Sequence, residues 1–213
     1  MILGLSTVLS FHEAALVEDG KILAQKIWPN EKRDAEELVQ AMQDLLAEAK
    51  RPKQDIQKIL VVRGPGPFTP LRTGVAFAAA LGDALHAKMY SMDTFEYLLQ
   101  RTQKDAAVLL PAGALDVALF YKGNLQVGPL SDLLAPLPHG QLTVVSQLKD
   151  LHEKELHSLI LEKSWTHIPT ETWKSLGELL LDLDFKNVEA NNGIEPVYMK
   201  QPIITPSSNK WKQ

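Results

Sequence analysis

Residues 58–85 read KILVVRGPGPFTPLRTGVAFAAALGDAL, and three kinds of local pattern follow one another inside that stretch. The first, Lys58–Val62, is short and almost wholly apolar, the composition of a strand buried on both faces in a parallel sheet. The second runs from Arg63 to Gly74 and holds two glycines and three prolines within residues 64–70. Glycine opens conformations that proline closes, so this mixture makes a stiff, pre-shaped turn. Such a turn serves as a plain strand-to-helix connector, or as a recognition loop or phosphate cradle at a helix N-terminus. No Lys-Ser or Lys-Thr follows the glycines, which excludes a Walker loop. The third pattern is a helix through Leu85 that is apolar nearly all round. Leu71, Val75, Phe77, Leu81 and Leu85 spread over a wide arc, alanines fill the rest, and only Arg72, Thr73 and Asp83 interrupt. That predicts a helix buried on more than one side.

Upstream, residues 2–8 and 12–18 read as strands, and Asp19-Gly20 supplies a positive-φ hairpin turn into a third strand over residues 21–27. Pro29-Asn30 stops that run. A helix follows from Asp34, with Glu37 three residues on as a capping box and an acidic first turn. Leu38, Met42, Leu45, Leu46 and Ala49 form its apolar stripe, and Arg51-Pro52 ends it. The order is β-β-β-α-β-α, the repeat unit of an α/β actin-like (ASKHA, ribonuclease H-like) fold. Residues 1–98 are therefore expected to form an N-terminal lobe.

Downstream the pattern weakens. Strands are expected at 108–110, 115–121, 125–127 and 142–145, with Lys122-Gly123-Asn124 as a turn. Helices are expected near 130–134, 149–161 and 172–181, and a last strand at 195–199. These make a diverged second lobe over 99–200, with residues 201–213 as a flexible tail.

Composition sets the outer limits. Among 213 residues, 45% are hydrophobic and 23% charged, ordinary values for a packed chain. The net charge of −4 argues against a protein that grips nucleic acid alone, because phosphate contacts need clustered Lys and Arg. There is no cysteine, which removes disulfides, thiolate nucleophiles and cysteine metal sites. The first residues lack a basic region, and no stretch approaches the roughly 20 apolar residues of a membrane span. A cytoplasmic protein without membrane contact is the expectation. His152 and His157 stand five apart, off one helical face, so they do not form a metal pair. Trp165, Trp173 and Trp211 are isolated from one another, which makes no stacking platform.

The loop Gly64-Pro65-Gly66-Pro67-Phe68-Thr69-Pro70-Leu71-Arg72-Thr73-Gly74 resembles the G-P-G-S-F-T-G-(L/V)-R-x-G signature of the TsaB (YeaZ) family. Pro67 replaces its serine and Pro70 its second-block glycine. Glu195-Pro196-Val197-Tyr198-Met199-Lys200 is similar to the family's terminal E-P-x-Y-L-R, and the agreement covers residues 1–98 and 194–200. The resemblance implies a non-catalytic subunit in the synthesis of tRNA threonylcarbamoyladenosine. It would pair with a TsaD-like catalytic subunit, with a TsaE-like ATPase joining and tRNA met only through the complex. ATP and Mg would be used by those partners, with no cofactor or metal on this chain. The matching contact helices carry Leu38, Met42, Leu45, Phe77, Leu81 and Leu85, and alone such a surface is expected to self-associate. The signature residues carried over are Gly64, Pro65, Gly66, Phe68, Thr69, Arg72 and Gly74.

Three departures stand against a conventional nucleotide site. Actin-like phosphotransferases place a carboxylate at the end of the first strand, and the family usually keeps Asp-Thr-Ser there. This chain has Ser6-Thr7-Val8, and serine has no charge to hold Mg²⁺. Pro111-Ala112-Gly113 stands near the family's Asp-Ala-Arg, and Asp34-Ala35-Glu36 at its His-Ser-Glu. The rival readings are a small-molecule kinase of the same fold, for which Asp116 is the only candidate carboxylate, a metallopeptidase, and a homodimeric regulator. The peptidase reading lacks any H-x-x-x-H spacing.

Overall fold

The computed structural model describes residues 1–30, 34–148, 150–186, 188, 190 and 193–199. The first strands form a meander: β1 (Ile2–Ser6), β2 (Phe11–Glu18) and β3 (Lys21–Pro29). Asp19 and Gly20 both take positive φ, 48° and 73°, as a tight right-twisting hairpin requires. Helix α1 (Asp34–Ala49) leads to β4 (Lys58–Val62), and α2 (Phe68–Leu85) to β5 (Lys88–Met92). The residue before Asp34 lies outside the described residues, and with it the capping reading. β4 pairs parallel with β1 and β5 parallel with β4, giving the sheet order β3-β2-β1-β4-β5. β5 and the next helix, α3 (Thr94–Arg101), are elements that the sequence patterns missed.

The same scheme then recurs. Strands β6 (Ala107–Pro111), β7 (Val117–Tyr121) and β8 (Asn124–Gly128) form a second antiparallel meander. After α4 (Leu130–Leu134) comes β9 (Thr143–Ser146), parallel to β6, then α5 (Asp150–Lys163) and β10 (Thr166–His167), parallel to β9. The second sheet is ordered β10-β9-β6-β7-β8, which is the first sheet's topology repeated. This is the doubled α/β architecture of an actin-like fold, as the element order of the first lobe implied.

The last helix, α6 (Leu176–Asp182), returns to the first lobe. Leu176 and Leu180 fill the space above Gly4 of β1, and Gly177 rests against Ile22 of β3. The covering of the first sheet thus draws on residues well beyond 1–98. Helices α1 and α2 lie side by side on the sheet's other face. One apolar core runs through both lobes, from Leu3 and Leu60 to Val108 and Val145, with a smaller cluster under α4 and α5.

Two expectations need correction. Residues 195–199 are not a strand: their backbone is irregular and is tied to the signature loop by Val197 N–H donating to Arg63 O at 2.7 Å. Nor is α2 buried on more than one side. Leu71, Val75, Ala78 and Gly82 face the sheet, while Ala76, Ala80 and Ala84 are exposed. The reason is that only one sheet face and α1 are available to cover it. The expected tail, residues 201–213, lies outside the described residues, as do Lys200 and Trp211.

Candidate functional site

Two segments from opposite ends of the chain meet at the start of α2. Arg63 N–H donates to Met92 O at 2.9 Å, and Thr94 holds the loop twice, through N–H to Gly64 O at 2.8 Å and Oγ1 to Pro65 O at 2.6 Å. Gly64 sits at φ 102°, with the place of a Cβ only 2.5 Å from Val197 O, so no side chain fits there. Gly74 is equally confined: a Cβ would lie 2.1 Å from Thr7 Oγ1, the hydroxyl that donates to Pro70 O at 2.9 Å. Those two signature glycines thus serve close backbone packing. The outward residues differ. Phe68 stands between the Arg72 guanidinium, 5.2 Å from its ring, and the Tyr198 ring, also 5.2 Å away, and Thr69 is exposed beside it.

The six residues expected at a partner contact divide into two groups. Leu38, Met42 and Leu45 are enclosed by this chain's own core, a correction to their expected outward role. Their stripe faces β2 and β3 because α1 has to cover those strands. Phe77, Leu81 and Leu85 are half-buried along the flank of α2, next to exposed Ala76, Ala80 and Ala84. Helix α5 holds the equivalent place on the second sheet, and its exposed residues include Glu153, Lys154, Glu155, His157 and Glu162. The exposed residues of α5 are mostly charged, while those of α2 include three alanines, with Arg72 and Asp83 as its exposed charges.

Between the lobes lies a cleft of about 850 Å³. Its walls are the turn after β1 (residues 8–10), the loop 65–68, the segment 110–114, and Gln147, Leu148, Tyr198 and Met199. Ser10 Oγ donates across it to Gln147 Oε1 at 2.8 Å, and Gln147 Nε2 donates in turn to Thr170 Oγ1 at 3.1 Å.

Ser6, at the position of the phosphotransferase carboxylate, is fully buried and does not reach the cleft wall. Its cross-strand neighbour is Glu13, which is 1% exposed and fully engaged. Arg101 clamps the Glu13 carboxylate through Nη1 at 2.6 Å and Nη2 at 3.1 Å, and the Tyr97 hydroxyl donates to the same carboxylate. Arg101 N–H groups also reach Tyr97 Oη at 2.7 Å and the Lys174 carbonyl, which ties β2, α3 and the approach to α6 into one cluster. Burial, then the Glu13 charge, push the Tyr97 phenol well above its usual pKa, so it stays a donor. Sequence patterns missed this cluster. Its one signal was a lone carboxylate inside the apolar run of β2.

The histidines have local roles. His12 packs on Trp28 at 5.6 Å, His152 Nε2 lies 3.2 Å from Leu115 O, and His167 Nε2 lies 3.0 Å from Ser146 Oγ. Burial lowers the His167 pKa against the opposing pull of Glu153 and Glu171. Asp116 begins the β7 arm, where its carbonyl accepts from Ala112 N–H at 2.9 Å, and it is not on the cleft wall. Among the described residues no group of three acidic or histidine side chains could hold a metal, and no helix is long and apolar enough to cross a membrane.

Comparison with known proteins gives consistent results. Residues 21–130 match the family model "TsaD: tRNA N6-adenosine threonylcarbamoyltransferase". The tRNA threonylcarbamoyladenosine biosynthesis protein TsaB of Bacillus subtilis is 30% identical over 212 residues, covering 92% of this chain and 91% of that protein. An uncharacterized protein of Mycobacterium tuberculosis is 30% identical over 149 residues, covering 68% and 71%. The solved structure of YeaZ from Pseudomonas aeruginosa superposes with a TM-score of 0.57 at 21% identity, covering 68% of this chain and 74% of that one.

Proposed function

Since the chain belongs to the family described by that threonylcarbamoyltransferase model, as a divergent TsaB-like member, we propose that it is a non-catalytic, partner-binding subunit in tRNA threonylcarbamoyladenosine synthesis. One observation carries the partner role: beside its exposed Arg72 and Asp83, the outer face of α2 presents the alanines Ala76, Ala80 and Ala84, where most of the exposed residues of α5 are charged. Ala76, Ala80 and Ala84 give a smooth surface that another helix can approach closely, and half-buried Phe77, Leu81 and Leu85 border it. Burying its alanines in a partner removes apolar area from water at about 25 cal/mol per Å², while exposed Arg72 and Asp83 can take the polar rim that interfaces have.

A TsaD-like subunit is the partner and supplies the chemistry, with a TsaE-like ATPase joining the assembly. ATP and Mg²⁺ are used by those subunits, in the cytoplasm. The lack of catalysis in this chain rests on Ser6 and on the occupied Glu13, which leave no carboxylate among the described residues of the cleft wall to hold a metal. With a net charge of −4, the chain meets tRNA only through the complex. Alone, the same α2 face pairs with a second copy.

Co-purification with the TsaD-like protein of the same genome tests this, on a sizing column with light scattering. Wild type is expected to form a one-to-one complex. Ala80→Glu, at an exposed position, is expected to abolish it while keeping the wild-type circular dichroism, because a carboxylate buried without a partner in an apolar contact costs several kcal/mol. Leu81→Glu should act the same way. Failure of the wild type to bind its TsaD sinks the reading.

A further inference from the structure

The cleft between the lobes does not have the chemistry of the metal-bound nucleotide that actin-like phosphotransferases hold there. Mg²⁺ requires hard, anionic oxygens, which a metal-bound polyphosphate site has to supply. None of the described residues lining the cleft is Asp, Glu, Lys, Arg or His. The carboxylate nearest the phosphotransferase position, Glu13, is withdrawn into its pairing with Arg101 and Tyr97, and Ser6 is enclosed.

We propose that the cleft is a binding site for an uncharged, largely apolar small molecule, in place of a metal-bound nucleotide. Its volume of about 850 Å³ is suited to a drug-sized ligand. Leu9, Pro67, Leu110 and Leu148 supply apolar wall from both lobes, so a ligand would touch the two sheets at once. At the mouth Phe68 and Tyr198 lie ring to ring, yet remain 40% and 38% exposed. Those ring faces would be covered by an aromatic or aliphatic body, which removes apolar surface from water. The polar side chains on the wall besides Tyr198 are Ser10 and Gln147, hydrogen-bonded to each other across the gap. They can orient one hydroxyl or carbonyl of a neutral ligand. A charged group would meet no side chain of opposite charge among the described lining residues.

The full-length chain titrated with the neutral dye Nile red tests the proposal. Saturable fluorescence enhancement is expected. Ala114 lines the cleft and is exposed, so Ala114→Trp should fill the space without disturbing the core, and Ser10→Trp should do so from the opposite lobe. Each is expected to weaken dye binding by about tenfold or more with unchanged thermal unfolding. Ala80→Glu, on the outer face of α2, should bind dye like wild type even though it blocks partner capture, which separates this test from that of the partner role. Millimolar MgATP should neither displace the dye nor raise the wild-type melting temperature. No saturable binding, wild-type affinity in both Trp variants, loss of the signal in Ala80→Glu, or displacement or stabilisation by MgATP would each overturn the proposal.

Discussion

The two lobes follow one topology and use it differently. Each runs β-β-β-α-β-α-β-α, and each sheet places its first strand between an antiparallel meander and two parallel strands. In the first lobe the helix after the meander has 16 residues and the edge strand β5 has five. In the second, the corresponding helix has five residues and β10 only two. The short α4 is held from outside its own hydrogen bonding: Lys163 Nζ donates to the carbonyls of Ala135 at 2.7 Å and Leu137 at 2.9 Å. A cation there also suits the helix dipole. The lesson is that a fold can keep its strand order while its helices shrink, provided that side chains satisfy the exposed helix ends. The lobes also differ in surface chemistry, with exposed alanines on α2 and mostly charged exposed residues on α5.

The largest effect is expected from breaking the buried cluster that ties β2, α3 and the approach to α6 together. Glu13→Ala leaves the Arg101 guanidinium buried without its carboxylate, and such losses cost about 3–5 kcal/mol. Equilibrium urea unfolding should show that drop, with part of it regained when Arg101→Met is added to Glu13→Ala. A loss below about 1 kcal/mol would mean that the cluster does not hold β2 and α3 together.

A smaller effect sharpens the contrast between α2 and α5. Only α2 crosses the turn after β1 closely enough to need a glycine, and α5 contains none. Gly74→Ala should cost about 1–3 kcal/mol by overpacking against Thr7, and Thr7→Ala should relieve it. Additive losses in that double-mutant cycle would show that the two do not press on each other.

The smallest effect concerns pH. The Tyr97 phenol has a folded pKa raised above its unfolded value of about 10. Its contribution is therefore fully present below about pH 10 and is lost as pH rises beyond that toward the folded value. Unfolding measured between pH 9 and 11 should show wild type losing more stability than Tyr97→Phe. Parallel curves would exclude a buried, neutral phenol.

Residue patterns carried much of this fold. Short apolar runs, Asp19-Gly20, the KILVV segment and the glycine-proline loop placed β1 to β4, α1 and α2 within a few residues of their true bounds. In the second lobe β6 to β9 and α4 to α6 were also legible from apolar runs and turn residues. β5 was not, because Lys88 and Ser91 break its apolar character. Residues 195–199 have the composition of a strand, but a strand needs a free sheet edge, and here the chain passes beside the signature loop with one backbone bond to Arg63. Of the candidate site, the loop was legible because proline and glycine act locally.

By itself, then, the sequence determined the order of most elements (not β5, α3 or β10), the stiffness of the 64–74 turn and the absence of cysteine chemistry, all properties of neighbouring residues or of composition. Tertiary structure alone decided which apolar stripe faces the protein's own core and which faces outward. Periodicity marks Leu45 and Leu81 alike, yet only the first is enclosed. It also decided the fate of Glu13. A carboxylate's role depends on the charges and donors within a few ångströms, and Arg101 and Tyr97 reach it from more than 80 residues away along the chain.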